Sequence, residues 1–132
     1  MPRVQWPLWQ NRPRVQVALT LTATGQFLPR TLLADSGAGA RHARFELILD
    51  ETDCLHCGNV TRSSVFLGGA YRGLFRIYHI PVQIPALGFA QRIHAVGIPS
   101  VLAGFDGIAC FRFLNRFTYG NFGDPGQFGL EY

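Results

Sequence analysis

The chain has 132 residues, 48% of them hydrophobic, which suits one core, so we expect residues 1–132 to form a single domain. The formal net charge of +4 comes from twelve arginines spread along the chain without lysine, whereas a nucleic-acid groove needs basic residues on one face. Apolar stretches end well before the ~18 residues of a membrane span, and residues 1–7 lack a signal-peptide core, so we expect a cytoplasmic protein that binds neither nucleic acid nor membranes.

Strands separated by Gly and Pro are predicted along most of the chain. Apolar and polar residues alternate over 15–22, Ala23-Thr24-Gly25 favours a turn, and a second strand then leads to Ala34. In chain order, the expected strands are 14–22, 26–34, 43–49, 64–68, 73–85, 88–97, 117–120 and 127–132. The pattern is typical of an all-β protein.

One short helix is predicted near the carboxyl end, at about 108–117. Ile108, Phe111, Leu114 and Phe117 recur every third residue there and would form one apolar face. We interpret this helix as a buried core element.

A single acidic residue follows the apolar run 31–34, in the segment Asp35-Ser36-Gly37-Ala38. A carboxylate at the end of a buried strand needs hydrogen-bond donors or a chemical role, because its desolvation is costly. Gly37 lets backbone amides come close to the acid, and the Ser36 hydroxyl can bond to a neighbouring chain. The segment therefore indicates either a catalytic acid or an ordinary Asx turn at a strand end.

Three cysteines, an odd number, do not indicate a framework of disulfides. Cys54 and Cys57 have the spacing of a zinc knuckle, but a structural zinc site normally uses a second pair of ligands. The candidate partners His42, His79, His94 and Cys110 are scattered singly along the sequence. We therefore expect no metal and no cofactor, and we interpret Cys54 and Cys57 as loop cysteines, with zinc as the weaker alternative.

The order of these parts resembles that of retropepsin-like aspartic proteases, the single-domain proteases of retroviruses, retroelements and related bacterial proteins. Asp35-Ser36-Gly37-Ala38 matches the family motif D-[ST]-G-[AS], and residues 65–77 resemble its flap, two strands around a glycine-rich tip. Residues 105–117 resemble its apolar-apolar-Gly segment and the helix after it. The family glycine falls either at Cys110 or within residues 101–104, and Ser36 replaces the commoner Thr.

The resemblance implies a small closed or partly open barrel with a flap hairpin and one carboxyl-terminal helix. Because the chain carries one Asp-Ser-Gly motif, it also implies a homodimer in which each subunit contributes Asp35 to a shared site. Such a protein hydrolyses peptide bonds by general acid–base catalysis. The implied site consists of the catalytic Asp35, its supporting turn Ser36, Gly37 and Ala38, and the substrate-binding flap Leu67, Gly68, Gly69, Ala70, Tyr71 and Gly73.

Two matters stay open at this point. Trp6, Trp9, Phe128 and Leu130 lie near the ends of the chain, where the family forms its dimer sheet, so they are either interface residues or part of the chain's own core. The alternative to a protease is a module of the same fold that binds peptides or proteins without cutting them, and Cys110 in place of the family glycine favours it.

Overall fold

Strands make up most of the protein in the computed structural model, which describes residues 1–39, 43–101 and 103–132. Within these residues there are ten strands and two short α-helices. The elements in chain order are β1 (Arg3–Pro7), β2 (Arg14–Thr20), β3 (Phe27–Ala34), β4 (Leu47–Asp50), α1 (Glu51–Cys57), β5 (Asn59–Leu67), β6 (Gly73–Ile84), β7 (Phe89–Ile98), β8 (Gly107–Ala109), α2 (Phe111–Leu114), β9 (Thr118–Gly120) and β10 (Gln127–Glu131).

Six of the strands form a closed barrel in the order β2, β3, β8, β4, β7, β6, and β2 pairs with β6 to complete the circle. The barrel is mixed, because β3–β8 and β4–β7 are parallel while the other pairs are antiparallel. β5 lies outside the circle and pairs with β6 as a long hairpin. The predicted barrel is confirmed at this level, as a mainly β protein.

Alternation along β2 shows how the sequence fills the barrel. Val15, Val17 and Leu19 are buried, whereas Gln16 between them is exposed. A strand places successive side chains on opposite faces, so this pattern points one face into the core. A second apolar cluster, which includes Phe45, Ile48, Ile77, Val96 and Ile108, lies under the β5–β6 hairpin and supports the site described below.

The prediction of one helix is wrong, because α1 is a second one. Asp50 caps its first turn, where the carboxylate accepts a 2.8 Å hydrogen bond from the Thr52 amide. Glu51 and Asp53 follow in the first turn, where negative charge favours a helix start, and the Gly58 amide closes the last turn on the Cys54 carbonyl. Cys54 and Cys57 therefore lie on a helix and not in a loop.

The helix predicted at 108–117 is also shorter than expected. Gly107–Ala109 is strand β8, which pairs with β3 on one side and with β4 on the other, and only Phe111–Leu114 is α-helical. The two candidate positions for the family glycine differ in structure. Cys110 directly follows strand β8, whereas residues 101, 103 and 104 are not in a strand, and Leu102 lies outside the described residues.

The chain termini form a separate three-stranded sheet in the order β1, β10, β9. β1 was not predicted as a strand, and it pairs antiparallel with β10 of the same chain, with Trp6 opposite Phe128. Trp6 and Leu130 are buried in the chain's own core, and Phe128 packs against it. No helix in the described part of the chain is long and apolar enough to cross a membrane.

Candidate active site

A cleft of about 710 Å³ lies between the turn after β3 and the tip of the β5–β6 hairpin. Its lining combines residues of the Asp35 turn with residues of the predicted flap. The lining residues are Arg12, Leu33, Asp35, Gly37, Ala38, Gly39, Ala43, Phe45, Ile48, Ile108 and the hairpin residues 65–71. Asp35 is the one acidic residue among them, and most of its neighbours are apolar.

The turn that carries Asp35 is held by its own backbone. The Asp35 amide donates a 2.9 Å hydrogen bond to the Ala109 carbonyl, which extends the pairing of β3 with β8. The Asp35 carboxylate accepts a 3.0 Å hydrogen bond from the Gly37 amide, and the Ala38 amide donates to the Asp35 carbonyl. An Asx turn therefore presents a half-buried carboxylate to the cleft, as one of the two interpretations of this segment predicts.

Gly37 and Ser36 take different places in this turn. A side chain at Gly37 would put its Cβ 3.3 Å from Asp35 Oδ1, so the glycine lets the amide reach the carboxylate. Ser36 is exposed and is not among the residues that line the cleft within this single chain. Its hydroxyl is thus accessible to another molecule.

Cys110 lies directly beneath the turn. Its side chain is fully buried, and the next amide holds the turn, since Phe111 donates to the Ala38 carbonyl at 3.0 Å. The Cys110 amide itself donates to the Glu46 carbonyl, just before β4, also at 3.0 Å. Burial raises the pKa of the Cys110 thiol to about 12, and the negative charges of Asp35 and Glu46 add to the effect. The thiol therefore stays neutral at physiological pH and acts as a small apolar group.

The hairpin brings most of the predicted flap residues to the cleft. Leu67, Gly68, Gly69, Ala70 and Tyr71 all line it, and Gly69 has φ +68°, which favours glycine at this tip. A 3-10 turn at Gly69–Tyr71 joins the two strands.

Gly73 has a different place. It starts β6 opposite Leu67 and is not among the residues that line the cleft. Its φ of +150° again favours glycine, and an added Cβ would come within 3.0 Å of the Phe75 ring. Gly73 therefore belongs to the base of the hairpin tip.

Arg12 lines the cleft but was not predicted as a site residue. It follows a tight turn in which Trp9 and Arg12 exchange backbone hydrogen bonds and Gln10 and Asn11 have positive φ. The Trp9 ring lies so close to Gly104 that an added Cβ would come within 2.4 Å of it. Trp9 therefore packs within its own chain, and the turn that it forms with Arg12 places Arg12 at the cleft.

The two cysteines of α1 are buried free thiols. Burial raises the pKa of Cys54 to about 12, with a further contribution from the Asp53 charge, and burial also raises the pKa of Cys57. Protonated thiols are poor metal ligands. Among the described residues, which do not include His42, no three His, Cys, Asp or Glu side chains come together as a metal-binding group.

His79 and His94 are separated in the sequence but come together in the fold. They are paired residues of β6 and β7, and their rings stack with centroids 4.8 Å apart. The sequence could have predicted this pair from the turn between β6 and β7. Ile84 pairs with Phe89 at that turn, and five further residues along each strand lead to His79 and His94.

Comparison of the sequence with known proteins gives no assignment: no family model matches it, and no curated protein matches it either. A functional proposal for this protein therefore depends on the chemistry of the cleft residues. A half-buried carboxylate in an apolar cleft can transfer protons to or from a bound molecule. The hairpin tip across the cleft can contact the same molecule.

Proposed function

We propose that this protein is an aspartic endopeptidase that acts as a homodimer, as the resemblance to retropepsin-like proteases implies. The observation that carries the proposal is the Asp35 carboxylate in a cleft whose other wall is the glycine-rich tip of the β5–β6 hairpin. The cleft, the turn geometry and the hairpin support this function together, because each is needed for acid-catalysed cleavage of an extended peptide.

The need for a second subunit follows from where the other acids lie. Glu46 is bound by Arg116, Asp53 by Arg30 and Glu131 by Arg3, and Asp106 accepts a hydrogen bond from the Thr31 amide. None of these residues lines the cleft, and neither do Asp50, Glu51 and Asp124. A reaction that uses two carboxylates therefore requires Asp35 from a second copy.

In this proposal the two Asp35 carboxylates share one proton, because like charges about 3 Å apart cannot both be ionised. The ionised carboxylate removes a proton from water, which attacks the scissile carbonyl, while the protonated one donates to the carbonyl oxygen. The Gly37 amide holds Oδ1 in place, and the exposed Ser36 hydroxyl is available to bond across the twofold axis. The reaction needs no covalent intermediate.

The hairpin provides the substrate-binding part of the proposal. An extended peptide pairs with backbone groups at the hairpin tip, and Gly68 and Gly69 allow the tip to close over it. Phe45, Ile48 and Leu67 line the cleft and favour apolar side chains beside the cleaved bond. A cleavage profile dominated by charged residues on the two sides of the cleaved bond would contradict this specificity.

The test is cleavage of a peptide library from pH 3 to pH 8 at high protein concentration, with wild type beside Asp35→Asn. We expect the substitution to reduce kcat/KM by at least about a hundredfold, because it removes the proton-transferring group at constant size. Activity of the wild type should fall at both ends of a bell-shaped pH profile, since one acid must be ionised and the other protonated.

The matched control is Asp124→Asn. The Asp124 carboxylate accepts the same kind of hydrogen bond, from the amide two residues later at 2.9 Å, but it lies outside the cleft. Activity that is lost only in Asp35→Asn supports the proposal. A folded, dimeric wild type that cleaves nothing would overturn it and favour the peptide-binding module.

A further inference from the structure

Charge is distributed very unevenly over the barrel. No Asp or Glu occurs in residues 59–98, the segment that forms β5, β6 and β7, although this segment contains four arginines and two histidines. Three of the acids instead lie on or next to α1, namely Asp50, Glu51 and Asp53. The strands β5, β6 and β7 therefore present positive charge.

A small pocket lies within this positive region. It has a volume of about 270 Å³ and is lined by Arg44, Ser63, Ile77, His94 and Arg112. Pockets for drug-sized ligands are typically larger, about 300–1,000 Å³, so this one has room for a single side chain or a small anion.

The pocket shares a wall with the cleft. Arg44 follows the cleft residue Ala43, and Ser63 lies two residues before the cleft residue Val65 on β5, a separation of about 7 Å along an extended strand. Ile77 belongs to the same apolar cluster as Phe45 and Ile48, which form the side of the cleft.

Both arginines of the pocket are fixed by backbone carbonyls. Arg44 Nη2 donates to the Ser64 carbonyl at 2.9 Å, and Arg112 Nη1 donates to the Ala43 carbonyl at 2.7 Å. Each guanidinium has five N–H donors, so these contacts orient the group and leave further donors for a ligand.

Neither arginine is neutralised by a carboxylate of the described residues. The ion pairs found there are Arg3–Glu131, Arg30–Asp53 and Arg116–Glu46. Glu46 is only two residues from Arg44, but both of its oxygens accept hydrogen bonds from Arg116. The charges of Arg44 and Arg112 are therefore available to a bound anion.

The stacked histidine pair borders this pocket. His94 lines the pocket, and burial lowers the pKa of His79 beside it, with further lowering by the charges of His94 and Arg92. The Glu46 carboxylate is the opposing charge at this end of the barrel, and it is bound as described.

We propose that this basic pocket binds a carboxylate side chain of the peptide substrate, several residues away from the cleaved bond. The inference rests on the proposed function and adds an acidic position to the apolar preference of the cleft. Two guanidinium groups that line a small pocket, each held by a backbone carbonyl, provide the positive charge and the N–H donors that a carboxylate binds. Because Ser63 of the pocket lies on β5, a peptide that extends from the hairpin tip along β5 would reach it.

The first test uses peptides with a fixed apolar centre and either Glu or Gln at one outer position at a time. We expect wild type to cleave the Glu peptide with about tenfold higher kcat/KM at one outer position, because a charge-assisted hydrogen bond is lost in the Gln peptide. The double variant Arg44→Gln/Arg112→Gln should lose this preference.

The matched control is Arg62→Gln/Arg92→Gln, which removes the same charge from β5 and β7 outside the pocket. It should retain the Glu preference. Equal cleavage of Glu and Gln peptides at every position would overturn the inference, and so would a preference that falls equally in both double variants. Arg112→Lys, which keeps the charge, serves as the rescue variant if the Gln variants unfold.

A binding measurement separates this inference from the proposed function. Fluorescein-labelled versions of the same peptides are titrated with Asp35→Asn protein and followed by anisotropy. We expect this protein to bind a Glu peptide more tightly than the Gln peptide, and to lose that difference when Arg44→Gln/Arg112→Gln is added. This result supports carboxylate binding in the pocket even if wild type cleaves nothing. Cleavage without any Glu preference in either assay would leave the protease intact and refute the pocket.

Discussion

At the scale of single residues, Cys110 connects the Asp35 turn to the core. Its fully buried thiol lies under Gly39, where an added Cβ would be 3.7 Å from the Cys110 Cβ, and its amide bonds to the Glu46 carbonyl. A glycine at this position would leave a space under the turn. The cysteine therefore fills the room beneath Asp35 without introducing a charge.

The raised pKa of Cys110 predicts a specific pH dependence of stability. From about pH 9 to about pH 12, the unfolded state loses the thiol proton and the folded state keeps it, so the contribution of this thiol to stability is full below pH 9 and is lost as the pH rises. We expect wild type to lose up to about 1.4 kcal/mol more per pH unit between pH 9 and pH 12 than Cys110→Ala.

Urea unfolding at pH 8, 9 and 10 measures this difference in slope. Comparison of two proteins that differ only at Cys110 removes the contributions of other groups, including Tyr78, whose pKa is raised mainly by burial. Identical slopes for the two proteins would show that the thiol ionises equally in both states.

At the scale of elements, α1 depends on its first turn. The helix has seven residues, Glu51–Cys57, which is too short to be stable alone, and Asp50 satisfies one of its free amides. The helix buries Cys54 and Cys57 against the core, and Asp53 fixes Arg30 of β3 through two hydrogen bonds of 2.7 and 2.9 Å. α1 thus links the end of β4 to the strand that leads to Asp35.

Removal of the cap should therefore destabilise the protein. We expect Asp50→Ala to cost about 1 kcal/mol, whereas Asp50→Asn should cost much less, because Asn also accepts the hydrogen bond from the Thr52 amide. Urea unfolding of the two variants measures the difference. Equal loss in both would mean that the charge, and not the hydrogen bond, is what stabilises this end of the helix.

Sequence signals near one another along the chain predicted the elements well. The β2–β3 hairpin was predicted because its alternation and its turn are local, and the Asp35 turn because a carboxylate and a glycine two residues later define it. β1 and β8 were missed because they are short, and their partners β10 and β3 are distant in sequence. The capping signals of α1, Asp50 followed by Glu51 and Asp53, are present in the sequence and indicate a helix start, although the spacing of the two cysteines favoured a loop.

At the scale of the whole molecule, the proposed dimer controls activity. If both Asp35 residues are required, each subunit alone is inactive, and a dimer with one altered subunit is inactive as well. Activity then depends on protein concentration as well as on the integrity of each chain.

Mixing wild type with Asp35→Asn tests this dependence. For equal amounts that exchange freely, about one quarter of the dimers contain two Asp35 residues, so activity should fall to about one quarter of that of the same total amount of wild type. Independent active monomers would instead give about one half. The Asp124→Asn protein, mixed in the same way, should leave activity unchanged.

The cleft as a whole could be predicted only in part. The turn and the hairpin tip were found by pattern, but Arg12 reaches the cleft because Trp9 packs on Gly104, far away in the sequence. The basic pocket likewise combines Arg44, Ser63, His94 and Arg112 from four separate segments. Only barrel closure brings such residues together, so no local pattern indicates them.

The way the barrel closes has a consequence for its motions. β2 and β6 pair through Ala18 with Gln83 and Leu19 with Val82, a far shorter ladder than the one that runs between β6 and β7 from Ile77 to Ile84. Asp35 follows β3, which is paired with β2 along its length, and the β5–β6 hairpin continues from β6 on the other side of the short ladder. We expect fluctuations of the barrel to begin at this short ladder and to change the width of the cleft. By reciprocity, a peptide that holds the hairpin against the Asp35 turn also holds the barrel shut, so ligand affinity and barrel rigidity rise and fall together.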